Sequence, residues 1–121
     1  MATLANVVFD NGLSVLTTNG TRIDICSTEP TSYAEATSTY TLGTSTITIG
    51  SPADRTGGGR EVTVSEVTNA NITSTGTAGF YAITNGTDTL YATGNLNTVQ
   101  TVTSGNTFSL GSFTIGIPDP A

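Results

Sequence analysis

Histidine, lysine and tryptophan are absent from this chain, and cysteine and methionine occur once each. Each absence removes a class of chemistry. Without histidine there is no thiol–imidazole nucleophile and no imidazole base working near neutral pH. The mixed imidazole and thiolate ligand set of a zinc site is missing as well. Cys26 has no second cysteine to pair with, so no internal disulfide frames the fold. A lone cysteine in an apolar strand reads as a small buried residue. The only cations are Arg22, Arg55 and Arg60, scattered along the chain. They form no stripe that could track a phosphate backbone, which argues against nucleic acid as a partner. Long apolar runs are lacking too, and the first six residues hold no basic region. No membrane anchor or signal peptide is expected, and the protein is expected to be made in the cytoplasm.

Nine acids against three bases give a formal charge of −6. That acidity maintains solubility or complements a basic partner surface. No spacing among Asp10, Asp24, Glu29, Glu35, Asp54, Glu61, Glu66, Asp88 and Asp119 points to an acid–base pair. Asp10-Asn11-Gly12 lacks the further oxygen ligands of a calcium loop. The expectation is a protein that is not an enzyme, with no catalytic, cofactor or metal site. Phe80, Tyr81 and Tyr91 are candidates for a stacking platform, although aromatics at strand positions are more often core.

What the chain does have is threonine, its commonest residue, and 14 glycines. This balance favours strands and turns over helices. With 121 residues it fits one domain spanning residues 1–121. The expected fold is all-β, an antiparallel β-sandwich of jelly-roll or immunoglobulin-like type, with a short N-terminal helix. The plainest element is a β-hairpin over residues 76–94, reversing at Thr84-Asn85-Gly86-Thr87-Asp88, where an Asn-Gly step supplies positive φ. Phe80 or Tyr81 is expected to be pinned in the core.

Along residues 4–17, Leu4, Val8, Phe9, Leu13 and Leu16 share one face at helical spacing, interrupted near Asn11-Gly12 and stopped at Asn19-Gly20. Residues 21–27 alternate, with Ile23 and Ile25 inward and Arg22, Asp24 and Cys26 on a wet face. Ser32 and Glu35 have the spacing of a capping box for one helical turn, with Tyr33 as the anchor of that corner. Apolar parity switches at Gly43, between Tyr40/Leu42 and Ile47/Ile49. It switches again at Gly111-Ser112, between Phe108/Leu110 and Phe113/Ile115/Ile117, where a slip would carry one strand from one sheet to another. Residues 51–60 have loop chemistry and too little apolar content to order themselves, so a mobile or interface-ordered loop is expected. Residues 95–98 are read as a turn after the hairpin.

Four stretches together carry a resemblance. They are residues 22–36 (Arg-Ile-Asp-Ile-Cys-Ser-Thr-Glu-Pro-Thr-Ser-Tyr-Ala-Glu-Ala), 76–84 (Gly-Thr-Ala-Gly-Phe-Tyr-Ala-Ile-Thr), 90–94 (Leu-Tyr-Ala-Thr-Gly) and 102–108 (Val-Thr-Ser-Gly-Asn-Thr-Phe). The chain resembles small virion structural proteins of tailed bacteriophages, of the head-decoration or cement kind, over about residues 4–118. The resemblance implies a protein of the virion surface that binds the major capsid protein and itself, as a homodimer or homotrimer. Its candidate docking elements are the N-terminal segment (about residues 1–18), the loop at about 51–60 and the proline-rich tail. A tail or fibre module stays open beside it, whether tail tube, adaptor or receptor-binding domain. A glycan-binding module would use exposed aromatics such as Tyr33, Tyr40, Tyr81 or Tyr91.

Overall fold

The computed structural model describes residues 5–118. One helix, α1 (Asn6–Asn19), precedes nine strands: β1 (Arg22–Cys26), β2 (Thr41–Thr46), β3 (Ala53–Asp54), β4 (Arg60–Val64), β5 (Val67–Asn71), β6 (Gly76–Thr84), β7 (Leu90–Val102), β8 (Thr107–Leu110) and β9 (Phe113–Ile117). They form a four-stranded sheet ordered β2-β1-β6-β7, a three-stranded sheet β3-β4-β9 and a two-stranded sheet β5-β8. Every pairing is antiparallel. The chain is therefore an all-β, sandwich-like fold with one short N-terminal helix, as composition and alternation predict.

The main core lies between these layers. It joins Leu13 and Leu16 of α1, Ile23 and Ile25 of β1, Ile83 of β6, and Val62 and Val64 of β4. Tyr81 of β6 and Phe113 of β9 pack against its edge, with ring centroids 4.7 Å apart and planes tilted by 51°. Asn11-Gly12 does not interrupt α1. A helical glycine costs roughly 1 kcal/mol, whereas burying each of Phe9, Leu13 and Leu16 returns roughly 1.5–3 kcal/mol. Packing wins. The helix does end before Gly20, although φ there is −79°, so no left-handed turn is involved. Glycine is needed for space: a Cβ would lie 2.8 Å from both Ile49 Cδ1 and the Leu16 carbonyl oxygen.

Both predicted parity switches are present. β2 carries an extra residue at Leu42, because Ile25 pairs with Gly43 and Cys26 with Thr41. Gly43 then turns toward the small sheet, where a Cβ would meet the Asn71 carbonyl oxygen and the Phe108 ring at 2.8 Å. At Gly111-Ser112 the final run divides: β8 pairs with β5, and β9 pairs with β4. One stretch of chain thus serves two sheets. The hairpin also stands where expected, but only Gly86 has positive φ, at 75°. Asn85 acts through its side chain instead. Its Oδ1 accepts from the backbone N–H groups of Thr87, Asp88 and Thr89 at 2.9, 2.9 and 3.1 Å, the geometry of an Asx turn.

Four readings need correction. The outer face of β1 is not wet, since Asp24 and Cys26 are fully buried. A corner of chain covers it, with Cys26 packed on Ala36 and Ala82. That corner is a π-helical segment, Glu35–Thr39, after a short turn. Its cap is shared: the Glu35 N–H donates to Ser32 Oγ at 3.2 Å, while the Glu35 carboxylate receives the Thr31 N–H and hydroxyl at 2.8 and 2.7 Å. Those two bonds hold the Glu35 carboxyl below its usual range. Ala36 anchors the corner, and Tyr33 is only half-buried. Residues 51–60 are not an unordered loop. β3 pairs with the start of β4 in a small hairpin whose glycines, Gly57, Gly58 and Gly59, all take positive φ. Finally, residues 95–98 are no turn but part of β7, where the register slips: Ala78 pairs with Gln100 and Phe80 with Asn95. Residues 96–99 therefore stand opposite Gly79 alone.

Candidate functional site

The expected docking elements separate once they are placed. Leu4 and the tail residues Asp119 and Pro120 lie outside the described residues. α1 is not a free arm, because its inner side belongs to the core through Phe9, Leu13 and Leu16. Its outer side is a different matter. Val7, Val8 and Val15 are 61%, 54% and 42% exposed. Val8 and Val15 are seven residues apart, close to two helical turns, so they line up along one face. Gly12 lies on the same line, and Ile117 from the end of β9 stands beside it, with its Cδ1 3.9 Å from where a Gly12 Cβ would be. Ile117 is itself exposed. The helix therefore carries two apolar faces, one buried and one open, and the open one continues onto β9.

The chain's local basic feature is spent inward. Arg60 Nε and Nη2 donate to the two Asp10 carboxylate oxygens at 2.9 and 3.3 Å, and Nη1 donates to Asp54 Oδ1 at 2.7 Å. Nη2 also donates to the Pro52 carbonyl oxygen at 3.2 Å. These carboxylates raise the Arg60 pKa, with the Asp10 hydrogen bond foremost. Arg60 is thus a clamp between α1 and the β3–β4 hairpin rather than a docking cation. Arg55 donates to the Gly58 carbonyl oxygen at 3.1 Å and stiffens the same turn.

A second charged cluster lies inside the first sheet. Arg22 Nε and Nη2 bind the two oxygens of Asp24 at 2.8 and 3.0 Å. Thr41 donates to Asp24 Oδ2 at 2.7 Å, and Thr44 to Oδ1 at 3.5 Å. The hydrogen bond to Asp24 raises the Arg22 pKa even though burial opposes it. Every oxygen of the buried carboxylate is satisfied, which makes this a structural ion pair and not a reactive acid. Cys26 nearby is as inert. Burial, aided by the charge of Asp24, pushes its thiol up to about 12, far above the range in which a thiolate attacks at neutral pH.

Phe80, Tyr81 and Tyr91 do not form one platform. Phe80 packs with the small cluster around Cys26, whereas Tyr81 and Tyr91 pack against the main core. Tyr33, Tyr40, Tyr81 and Tyr91 are all half-buried. Among the described residues, no three acidic or thiol groups converge to hold a metal ion, and no helix is long and apolar enough to cross a membrane. Sequence reasoning named the N-terminal segment but missed which side of it is open. Val8, expected on the face of Phe9, Leu13 and Leu16, is instead 54% exposed, because at 100° per residue it sits at the margin of that buried stripe.

No family model, curated protein or solved structure matches this chain.

Proposed function

We propose that this protein is a structural component of a tailed-bacteriophage virion, a decoration protein that docks on the outer surface of the major capsid protein shell and stabilises the head. The observation that carries the reading is the open apolar row of Val8 and Val15 on α1, continued by Ile117, with exposed Val7 to one side of it. An exposed apolar row of this kind is where a partner surface would bury area. The sequence resemblance supplies the partner. A shell that binds only the folded domain adds its binding free energy to the stability of both. The acidic surface avoids competition for the packaged genome. Self-association as a dimer or trimer would place several such faces on neighbouring capsid subunits at once, multiplying weak contacts into a stable clamp.

The test is where the protein sits and what the helix does. Labelled copies are expected on the icosahedral shell of purified particles. A Val7→Ser, Val8→Ser, Val15→Ser variant is expected to keep its thermal transition while its shell binding falls by at least about tenfold, roughly 1.4 kcal/mol. Copies mapping to the tail, or unchanged shell binding by the triple variant, would remove the reading.

A further inference from the structure

Away from α1, two irregularities of the sheets face each other. In β7, residues 96–99 leave the ladder opposite Gly79. Across from them, Gly111 and Ser112 form the corner where the chain passes from β8 to β9. Between these walls lies an open cleft of about 420 Å³, within the roughly 300–1,000 Å³ span of small-molecule sites. Bulges that re-aim side chains are concentrated beside functional sites.

The chemistry of its lining is consistent on both sides. No lining residue carries a formal charge. Asn95, Asn97 and Gln100 on one wall, and Ser112 and Thr114 on the other, are solvent-exposed, so their amides and hydroxyls are free to bond a ligand. Each amide offers donors and an acceptor, and each hydroxyl offers both roles. Tyr81 and Phe113 also line the cleft, holding a fixed apolar surface by their mutual packing. Tyr81 is pinned further by Gly94, where a Cβ would fall 2.6 Å from its ring. An aromatic surface bordered by uncharged donors and acceptors complements a ligand that has an apolar C–H face and a rim of hydroxyls.

We infer that this cleft binds a neutral saccharide. The alternatives fit less well. A carboxylate or phosphate would meet no cation in the lining, and a cationic ligand no carboxylate. A wholly apolar ligand would strip water from the amides without replacing their hydrogen bonds. An extended peptide would add to the β7 edge through a regular ladder, which residues 96–99 interrupt.

The inference is independent of docking through α1, and the two can fail separately. The experiment titrates the isotope-labelled full chain with cellobiose, maltose, lactose, mannobiose and chitobiose at millimolar concentration, following backbone and side-chain amide resonances. Glucuronic acid and glucosamine serve as charged counterparts. At least one neutral disaccharide is expected to give saturable shifts confined to the lining, at the Asn95, Asn97 and Gln100 amides and at Ser112 and Thr114. Asn97→Ala and Gln100→Ala are each expected to weaken that binding by about fivefold, the loss of one hydrogen bond. Both residues are exposed, so neither variant disturbs folding, and Tyr81→Phe is expected to retain binding. No saturable shift with any neutral sugar would overturn the inference. So would shifts centred elsewhere, unchanged affinity in both alanine variants, or tighter binding of either charged sugar.

Discussion

β1 and β7 belong to the same antiparallel sheet with only β6 between them, yet β1 buries four of its five side chains and β7 buries only Val102 among thirteen. β1 holds a charged residue at zero exposure, while β7 leaves neutral amides in solvent. Position explains the difference. β1 is paired on both edges, packed on the core by Ile23 and Ile25, and covered on its other face by the corner at residues 30–40. β7 is an edge strand, free to leave its register because no strand among the described residues pairs beyond it. The inner strand can therefore carry an ion pair that the sheet encloses, and the outer one can carry an irregularity that opens a cleft.

The sharpest way to break this contrast is to disturb the ion pair of β1. Arg22→Leu leaves the Asp24 carboxylate buried with only threonine hydroxyls for company, and such uncompensated charge costs about 3–5 kcal/mol. Chemical denaturation is expected to show a loss of that size. A loss below about 1 kcal/mol would mean that β1 is as solvated as its alternation suggests.

A smaller effect on β1 appears in alkali. The buried Cys26 thiol keeps its proton up to about 12, against an ordinary 9.0. Between those values the unfolded chain gives up a proton that the folded chain retains, so stability is complete below about pH 9 and declines as pH rises toward 12. Burial raises the Tyr81 hydroxyl in the same direction. Cys26→Ala is expected to flatten the decline without abolishing it, read from denaturation midpoints at successive pH values. An unchanged slope would place the thiol in contact with solvent.

The smallest effect belongs to β7. Asn97→Ala and Val99→Ser change exposed side chains of the excursion and are each expected to shift unfolding free energy by less than about 0.5 kcal/mol. A larger loss from either would make the excursion part of the core and erase the comparison.

These two strands also show what the sequence could disclose. The helix, the hairpin and both parity switches were legible, because glycine or Asn-Gly marks each place where periodicity changes. β1 was misread because alternation reports polarity and not burial. Arg22 and Asp24, two residues apart, look like a solvated face, yet Asp24 is fully buried while Arg22 stays partly open. β7 was misread for the opposite reason. Asn95, Asn97 and Thr98 have turn composition, and a strand that leaves its ladder is built from the same residues as a turn. The cleft was invisible because its walls, residues 95–100 and 109–114, meet only through the topology. The Arg60 clamp was hidden in the same way, its Asp10 partner lying 50 positions away.

That clamp bears on how the molecule carries traction. A pull applied to α1 from an object gripping its outer face would pass into the β3–β4 hairpin through Arg60 and Asp10 as well as through the packed leucines. The packed leucines carry no charge for dissolved ions to screen, and salting-out ions strengthen their burial. The charge pair is partly exposed, with 16% and 31% of its side chains open, but its contact distance of 2.9 Å is well inside the roughly 8–10 Å screening length at physiological strength, so salt weakens it only in part. The helix is consequently fastened by two joints of opposite salt response, since salt weakens the charged one in part while salting-out ions tighten the apolar one.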